Sequence, residues 1–450
     1  GAVIIKNEKP SMYWNNPATG GVYSNLTFTE VRPHTLFITQ QLEVIGGAYQ
    51  NWLLGGAFYD YLSASSSNAS TGVQYLSNIN PPASVRLGNN YMNGELKEFV
   101  QGEPNFIQRD TDFNLISMVH DSNASRLPYA SEISKRTQST GIQGSSTVGW
   151  RQSVIIYGTD QSANRVGIEN NINSFYNMYW DGSQTGLLDD YPSAAAAYSL
   201  RALNSAYTGP LVRVRRSNNA EKDIFARYDG SLDTTDLLEF VNDGVNTGDG
   251  FVTTWYDQSG AGIMGNGVQI SEVDQPKIAE NGFVTLYNSM PVIKFSNSLI
   301  SFENLINDTT ERTIFALFNY SGALEQQVIN QSSVSNYRIQ VSLNRDAPNT
   351  VGLRSFAGGI NSYSGNNLTQ EQNLLSIFRP DLSTLNSYAN DVLGTTSYDS
   401  RAEIYVNFIG RLATKYPLDG GFSEYIIYNS DQTSNKEAIE TNINNYYTIY

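Results

Sequence analysis

The amino-acid sequence predicts an all-β chain made of tandem sandwich domains, on three observations: its composition, its short apolar runs and an internal repeat. The 450 residues are 40% hydrophobic but only 16% charged, with 37 glycines and 29 tyrosines. β-Branched and aromatic residues pack well on pleated faces, and glycine and asparagine permit tight turns. Apolar runs such as residues 313–318 and 374–378 have breakers around them, which favours buried strands over alternating strands and helices.

The internal repeat joins two stretches at a constant spacing of 271 positions. Residues 154–157 (VIIY) recur as residues 425–428 (YIIY), and the same Asp-Gln, Asn, Ile-Glu and Asn-Ile-Asn letters follow both runs. Such self-similarity indicates a structural unit used twice. Three earlier pairs of segments match in the same order: 9–14 with 290–295, 32–37 with 311–315, and 114–118 with 373–377.

The repeat predicts the domain organisation. Residues 1–180 match residues 282–450, whereas the stretch from about 190 to 280 has no counterpart upstream. We therefore expect a first sandwich at 1–180 that lacks its N-terminal third, a linker at 181–192 and a complete sandwich at 193–450. Three explanations stay open: the chain is a fragment of a longer array, another chain supplies the missing strands, or the first domain is simply shorter.

Two kinds of helix are expected. Each copy should end in a helix, because Ile439, Ile443, Tyr446 and Tyr450 follow one another at spacings of four and three, and Asp431 or Thr433 can cap the start. The first copy has Ile168, Ile172, Phe175 and Tyr179 in these places. The Ala-rich stretch 193–203 also predicts a helix, and the Gly-, Asp- and Pro-containing stretch before it predicts a linker.

Composition also excludes several functions. The formal net charge is −15, which argues against a general nucleic-acid binder and against an anionic membrane surface. The chain has no cysteine, which excludes disulfides, cysteine nucleophiles and thiolate metal sites. No apolar run of 18 residues is present, so no membrane insertion is expected. The two histidines, His34 and His120, fall in different matched strand regions, and neither has a histidine counterpart in the second copy.

Three segments carry a resemblance to a known family: 197–201 (AYSLR), 207–217 (YTGPLVRVRRS) and 252–260, which ends in Tyr256, Asp257, Gln258, Ser259 and Gly260. They resemble the catalytic sandwich domain of fungal-type α-L-arabinofuranosidase B, of the concanavalin-A-like lectin/glucanase superfamily. The resemblance covers residues 195–450 fully and 1–180 through the repeat. It implies tandem concanavalin-A/laminin-G-like β-sandwiches of jelly-roll type, each with a short C-terminal helix.

The same modules are similar to those in structural and fibre proteins of phages that infect Bacteroidetes, and in large surface proteins of such bacteria. The Ile-Ile-Tyr-x-x-Asp-Gln-x-x-Asn ending, present here at 426–435, carries this second resemblance. The arabinofuranosidases carry disulfides that this sequence cannot form, so the chain is closer to the second group.

Glycoside hydrolysis with retention needs two carboxylates about 5 Å apart. In the resembled enzymes one lies on a central strand, and the other follows a Gly-rich stretch shortly before the terminal strand. Here the first position falls near residues 341–346, which contain no glutamate, and the second near 407–412, with Arg411 where an acid is expected and Asp419 as the next acid. These departures argue against hydrolysis.

Other candidate sites are weaker. The stretches 229–233 (DGSLD) and 242–246 (NDGVN) could offer oxygen ligands to Ca²⁺, although the same residues form ordinary turns; no other cofactor is expected. Tyr363 and Tyr398 lie in Gly-, Ser- and Asn-rich stretches, where an amphipathic ring can stack on a sugar. We take these two as the candidate carbohydrate-binding residues, and Tyr256–Gly260 as a structural motif.

The sequence thus favours a non-enzymatic structural or adhesive protein, such as a phage virion fibre or spike component. Its expected partners are glycans or a host cell-surface receptor, and copies of itself or other virion or surface proteins, as a homo-oligomer. A bacterial surface adhesin or filament subunit, an arabinofuranosidase-like hydrolase and a purely architectural component without sugar binding remain the alternatives. The expected location is the virion, the extracellular space or the cell surface.

Overall fold

The computed structural model describes the second half of the chain almost continuously and the first half in segments. The described residues are 4–6, 9–15, 26–31, 34–42, 50–55, 60–65, 73–76, 88–97, 107–108, 113–120, 130–133, 137–138, 141–142, 148–242, 248–302, 311–322, 325–330, 339–343, 350–355, 366–367, 372–381, 384–394, 408–411 and 416–450.

The chain divides into two compact units, residues 1–179 and 180–450. The strands of the first unit are β1 (Ile4–Lys6), β2 (Lys9–Asn15), β3 (Leu26–Val31), β4 (Thr35–Leu42), β5 (Gln50–Gly55), β6 (Asp60–Ser65), β7 (Val73–Leu76), β8 (Asn89–Met92), β9 (Glu95–Lys97), β10 (Ile107–Gln108), β11 (Asn114–Val119), β12 (Ala130–Ile133), β13 (Thr137–Gln138), β14 (Gly141–Ile142) and β15 (Val148–Tyr157). A 3₁₀ turn (Ser162–Asn164) and helix α1 (Arg165–Tyr176) follow β15.

These strands form antiparallel sheets. A seven-stranded sheet has the order β1-β2-β15-β4-β11-β8-β9, and a six-stranded sheet has the order β10-β7-β6-β5-β12-β3. Strands β13 and β14 pair separately. The central strands β4 and β11 are buried from residue 35 to 41 and from 114 to 119. Helix α1 packs on this sheet through Ile172, which is buried with Phe37 and Leu115.

The second unit is also almost entirely β. Its elements are α2 (Leu187–Asp190), β16 (Ala194–Ser199), β17 (Val212–Arg216), β18 (Glu221–Ile224), α3 (Thr234–Val241), β19 (Gly250–Trp255), β20 (Gly267–Val268), β21 (Lys277–Glu280), β22 (Phe283–Val284), β23 (Leu286–Tyr287), β24 (Met290–Pro291), β25 (Ile293–Ser296), β26 (Ile300–Phe302), β27 (Arg312–Tyr320), β28 (Gln326–Asn330), β29 (Ile339–Leu343), β30 (Thr350–Ser355), β31 (Asn366–Asn367), β32 (Asn373–Asp381), β33 (Thr384–Ala389), β34 (Val392–Leu393), β35 (Phe408–Ile409), β36 (Asp419–Tyr428) and α4 (Lys436–Tyr447), with 3₁₀ turns at Glu272–Asp274 and Thr433–Asn435.

A central sheet of the second unit is buried on both faces. Strand β36 lies between β16 and β27, and β32 pairs with the far edge of β27. Because side chains alternate across a strand, Ile314 and Ile427 enter the main core, whereas Phe315 and Ile426 enter a second cluster with Ile443 of α4. This double burial explains the uninterrupted apolar runs. The all-β prediction, with a short helix after the last strand of each unit, is confirmed.

The pairing register shows that the repeat is a structural one. Met12 of β2 pairs with Arg151, as Ile293 of β25 pairs with Phe422. Each of these matched pairs follows the sequence alignment, with Arg151 and Phe422 at the 271-residue spacing. The other matched pairs are Thr35 with Tyr157 and Thr313 with Tyr428, and Ser117 with Phe37 and Ser376 with Phe315.

One hairpin occupies the same place in both units but a different place in the chain. Strand β8 precedes its partner β11 in the chain, whereas β33 follows its partner β32. Asn93 and Asn390 turn these hairpins with φ of 51° and 48°. Each accepts a hydrogen bond through Oδ1 at 2.9 Å, from Leu115 N and Leu374 N respectively. The repeat therefore contains one exchange of strand order.

The two terminal helices bury only part of the predicted stripe. In α4, Ile439 and Ile443 are fully buried and Tyr447 is 1% exposed, but Tyr450 lies beyond the helix and is 53% exposed. In α1, Ile172 is buried, whereas Phe175 is 58% exposed. The 3₁₀ turn before α4 is held by Asp431, whose Oδ1 accepts from Thr433 N at 3.0 Å.

The prediction of a helix at 193–203 is wrong. Residues Ala194–Ser199 form β16, all six of them buried, and they pair with β36. Helix propensity is a weak prior that tertiary context overrides. Here the small alanine side chains fill the narrow spaces on both faces of the central sheet, in the two clusters that contain Ala194 and Ala196.

The segment predicted as a linker belongs to the second unit. Helix α2 lies within residues 181–192, and its Leu187 and Leu188 are 1% and 4% exposed. Leu188 N donates to Leu203 O at 2.7 Å, and Tyr428 Oη donates to Tyr191 O at 2.8 Å. This stretch is therefore packed against the face that α4 also covers. None of the helices in the described residues is long and apolar enough to cross a membrane.

Candidate functional site

The Tyr256–Gly260 turn is a structural clamp for β16. Asp257 Oδ1 accepts from Ala197 N and Ser259 N, each at 2.9 Å, and burial raises the pKa of this carboxyl. Gln258 is fully buried. Its amide donates to Ser199 O and Arg201 O at 3.2 and 3.0 Å and accepts from Leu203 N at 2.8 Å. Through these contacts the turn holds β16 and residues 199–203 in place, and the assignment of Tyr256–Gly260 as a purely structural motif stays a prediction.

Tyr256 points to a charged cluster at the edge of the same sheet. Its hydroxyl donates to Asp223 Oδ1 at 2.7 Å, and Arg213 Nε donates to Glu221 Oε2 at 2.7 Å. Burial, followed by the hydrogen bond to Asp223, raises the pKa of Tyr256. Arg213 bonds to both acids, so this cluster ties β17, β18 and the end of β19 together, with one more carboxylate than guanidinium.

The better ligand site is a groove between the hairpins of β22 to β25 and the start of β36. Its volume is about 360 Å³, within the range of small-molecule sites. Phe283 and Leu286 stand at this groove with 73% and 55% of their surfaces exposed. The lining residues are Glu280, Phe283, Val284, Thr285, Leu286, Tyr287, Val292, Lys294, Asn319, Ser321, Asp419, Gly420 and Gly421.

Glu280 and Lys294, which line one wall of the groove, belong to a longer chain of ion pairs. Glu280 accepts from Lys277 at 2.8 Å and from Lys294 at 2.7 Å, and Lys277 also contacts Asp249 at 2.9 Å. The hydrogen bonds from Lys277 and then Lys294 lower the pKa of Glu280 to about 2. Such a carboxylate stays ionised at neutral pH, so it is unsuited to act as a general acid, which needs a raised pKa.

Asp419 and Ser321 form the polar group on the opposite wall. Asp419 Oδ2 accepts from Ser321 Oγ at 2.5 Å, and Asp419 N donates to Gln326 Oε1 at 2.9 Å. The floor continues as Gly420 and Gly421, where β36 passes very close to β27. A Cβ at Gly420 would lie 2.0 Å from Asn319 O, so no larger residue fits there.

The groove thus combines hydroxyl-binding groups with exposed apolar surface. A carboxylate, a lysine and a serine can accept from and donate to neighbouring hydroxyl groups, while an aromatic ring beside them can cover an apolar face. Sequence reasoning missed this site. Its signal was the Gly-Gly pair at the start of the terminal strand, beside Asp419.

Among the described residues, the two positions expected to carry catalytic carboxylates do not form a pair of acids. Arg411, at the place where an acid was expected, donates to Asp274 Oδ1 at 2.6 Å and to Asn297 O at 2.6 Å. At the first position, Val341 and Leu343 of β29 are fully buried, and Asp346 lies outside the described residues.

The candidate Ca²⁺ ligands serve as turn and cap acceptors. Asp229 Oδ1 accepts from Ser231 N and Oγ, at 2.9 and 2.6 Å, and Asp233 Oδ1 caps helix α3 by accepting from Asp236 N at 2.9 Å. Residues 243–246 lie outside the described part of the chain. Within the described part, no cluster of three or more acids or histidines is arranged to hold a metal.

Two further predictions concern individual residues. Tyr363 and Tyr398, the candidate carbohydrate-binding residues, both lie outside the described residues. His34 and His120 were placed in separate strand regions, but the structure makes them neighbours, because His120 N donates to His34 O at 2.9 Å. Their counterparts Arg312 and Arg379 pair in register in the second unit. The pairing of the matched strands was the signal that could have predicted this.

Comparisons with known proteins show a likeness of fold. No protein-family model matches the sequence, and a search of curated proteins finds no similar sequence. Among solved structures, a GH54 α-L-arabinofuranosidase soaked with a cyclic sulfate inhibitor is 13% identical, with a TM-score of 0.42, and 58% of this chain and 65% of that chain are covered. The matched region thus spans less than two thirds of that enzyme.

Other similar structures are carbohydrate-binding sandwich domains. The CBM40 domain of a Ruminococcus gnavus IT-sialidase, bound to α2,3-sialyllactose, is 16% identical with a TM-score of 0.24, and 30% of this chain and 83% of that chain are covered. A SAP-like pentraxin from Limulus polyphemus is 15% identical with a TM-score of 0.26, with 32% and 74% covered. The likeness concerns the sandwich fold class alone.

Proposed function

We propose that the second unit binds a neutral glycan in the groove between β22–β25 and the start of β36. The observation that carries this proposal is the pairing of exposed Phe283 and Leu286 with the Asp419–Ser321 and Lys294–Glu280 groups in one groove. Sugars present an apolar C–H face beside a ring of hydroxyl groups, so they match such a surface. Because Glu280 is ionised between two lysines, the wall favours a neutral ligand over a charged one.

The proposed role of the whole chain is structural or adhesive and non-enzymatic. In this proposal the chain assembles, with copies of itself or other surface proteins, into a virion fibre or spike, or into a bacterial surface filament. Two repeated sandwiches support this role, because they are units that can be arrayed while one groove contacts a glycan. Electron microscopy of the source particle and light scattering of the purified chain test it. A chain that stays monomeric under all conditions contradicts it.

The groove is tested by glycan-array screening of the full chain, followed by calorimetric titration of the best glycan. Phe283→Ala should weaken binding about two- to twelvefold, since an aromatic contact contributes roughly 0.5 to 1.5 kcal/mol. Asp419→Asn should weaken it by a similar factor, because charge-assisted hydrogen bonds are the stronger ones. Phe225→Ala and Asp190→Asn are matched controls, as both residues are exposed and lie outside the groove.

Three outcomes contradict the proposal: no glycan signal, equal losses in the control variants, or turnover of nitrophenyl arabinofuranoside. The last result, if a single carboxylate substitution abolished it, would establish a hydrolase instead.

A further inference from the structure

The last strand of each unit differs in how many neighbours it has. In the second unit, β36 pairs with β27 on one edge, and on the other edge with β25 along 419–422 and β16 along 424–428. In the first unit, β15 pairs with β4 on one edge and with β2 along 148–151 on the other. Across the described ranges of the first unit, no strand pairs with residues 153–157 on that second edge.

Residues 153–157 of β15 are the counterpart of the part of β36 that pairs with β16. The register of β2 on β15 matches that of β25 on β36 residue for residue, so residues 153–157 correspond to residues 424–428. Strand β16 lies on residues 424–428 by pairing Ala197 with Ile426 and Tyr198 with Tyr425. The second unit, which contains β16, therefore shows what kind of strand fits beside residues 153–157 of the first unit.

Burial differs between the two units at these equivalent positions. Tyr425, Ile426, Ile427 and Tyr428 are fully buried, whereas residues 154–157 are only partly buried. Phe175 of α1 is 58% exposed, whereas its counterpart Tyr446 is partly buried and lies 4.7 Å from the Arg201 guanidinium. Residues 153–157 and the Phe175 ring are thus more exposed than their counterparts, and the Lys9 ammonium lies 4.4 Å from the centroid of that ring.

The open edge also lacks the features that normally prevent edge-to-edge pairing. Natural sheets protect exposed edges with charged residues, prolines or bulges. Residues 153–157 read Ser-Val-Ile-Ile-Tyr, with neither a charge nor a proline, and the register shift in β15 lies before Ser153. An unprotected apolar edge is the usual receptor for a strand added from another chain.

We propose that residues 153–157 accept an extended strand from a partner protein, in the position that Ala194–Ser199 occupies in the second unit. The partner strand has small apolar residues that fit beside β15, flanked by larger apolar residues that cover Phe175, as Leu187 and Leu203 pack in the second unit. A second copy of this chain is not the donor through its own β16, because all six residues of that strand are buried in its own sheet.

One residue indicates the charge of the partner strand. In the second unit Arg201 holds the buried Glu424 through bonds of 2.8 and 3.0 Å. The counterpart of Glu424 is Ser153, whose backbone N–H donates to Thr39 Oγ1 at 2.7 Å. An arginine buried there would have no carboxylate and would be unfavourable, so the partner strand has a neutral residue at the position of Arg201.

The test uses the full chain and a fluorescent peptide with the sequence of residues 193–203 carrying Arg201→Met. We expect saturable binding by anisotropy, and slowed hydrogen exchange at residues 153–157. The control peptide carries Ala196→Pro in addition. Leu200 N donates to Ser423 O, and alternation places the Ala196 amide on the same edge, so this proline should weaken binding about tenfold or more.

A crossed experiment tests the charge assignment. The chain variant Ser153→Glu should bind the unaltered 193–203 peptide, which keeps the arginine, about tenfold more tightly than the methionine peptide. The wild-type chain should show the opposite order, and equal binding of the two peptides would contradict the charge assignment. If Ser153→Glu fails to fold, the comparison of the proline and parent peptides on the wild-type chain still tests whether a strand binds at residues 153–157. The proposal is overturned by absent binding, by protection elsewhere than 153–157, or by dimers that exchange their own β16.

Discussion

At the scale of single residues, the Tyr256–Gly260 motif was recognisable in the sequence, but the role of Gln258 was not. Only the fold brings residues 199, 201 and 203 within reach of one amide. Gln258→Leu keeps the volume but leaves three backbone groups without partners. We expect it to lower the free energy of unfolding of the second unit by roughly 3 kcal/mol.

Urea denaturation monitored by hydrogen exchange of β16 measures this loss. The matched control is Gln184→Leu, because Gln184 is exposed and its amide donates to the Tyr228 hydroxyl at 3.0 Å. The control should change stability by less than about 0.5 kcal/mol. Equal effects of the two variants would show that the buried amide contributes no more than a surface one.

Glu280 offers a second prediction at this scale, on pH. Its folded pKa, about 2, lies below its ordinary value because Lys277 and Lys294 stabilise the ionised form. A depressed pKa contributes stability that is present above the unfolded pKa and is lost as the pH falls through the folded pKa. The ion pairs should therefore persist at pH 5 and disappear progressively between about pH 4.5 and 2.

Lys294→Met should raise the Glu280 pKa toward its ordinary value, because one of the two stabilising ammonium groups is removed. A carboxyl-detected NMR titration of wild type and variant measures this. Lys222→Met serves as the control, since Lys222 pairs with Asp236 and not with Glu280. An unchanged titration of Glu280 in the Lys294 variant would contradict the electrostatic explanation.

At the scale of elements, the hairpins that end at Asn93 and Asn390 show why their asparagines matter. Both residues have positive φ and both cap a neighbouring backbone amide. Asn390→Ala should lower the free energy of unfolding by about 2 to 3 kcal/mol, from left-handed strain and an unpaired Leu374 N–H. Asn390→Gly should lose about 1 kcal/mol less, because glycine relieves the strain alone.

Chemical denaturation of the two variants gives this difference directly, and the pair Asn93→Ala and Asn93→Gly repeats the test in the first unit. If alanine and glycine have equal effects, the turn conformation carries no strain and the hydrogen bond accounts for the whole loss.

The same elements show how far sequence reasoning reaches. The matches of 9–14, 32–37 and 114–118 to the second copy correctly paired β2, β4 and β11 with their counterparts, because a one-residue slip would turn a buried face to solvent. The place of β8 in chain order could not be predicted. The hairpin of Asn93 precedes its neighbour β11 in the chain, whereas the hairpin of Asn390 follows its neighbour β32. The helix predicted from the alanines of β16 was wrong for a different reason, because these residues form a strand only by pairing with residues distant in sequence.

At the scale of the whole molecule, the two units of the repeat share one sheet and one helix. The first unit has β15, β4, β11 and α1 where the second has β36, β27, β32 and α4. A cation–π pair recurs with them: Arg165 lies 3.6 Å from the Tyr91 ring centroid, and Lys436 lies 4.2 Å from that of Tyr388. The groove has no such recurrence in the alignment, because the Gly420–Gly421 pair corresponds to Gly149–Trp150.

The boundary between the units yields the last prediction. A fragment of residues 180–450 keeps α2, whereas a fragment of 193–450 removes Leu187 and Leu188 from the cluster that α4 covers. Burying each leucine contributes about 2 kcal/mol, so the shorter fragment should be less stable by about 4 kcal/mol. Urea unfolding of both fragments measures the difference, and Leu187→Ala with Leu188→Ala in the longer fragment should reproduce most of it. Equal stabilities would mean that residues 181–192 act as the linker that their composition indicated.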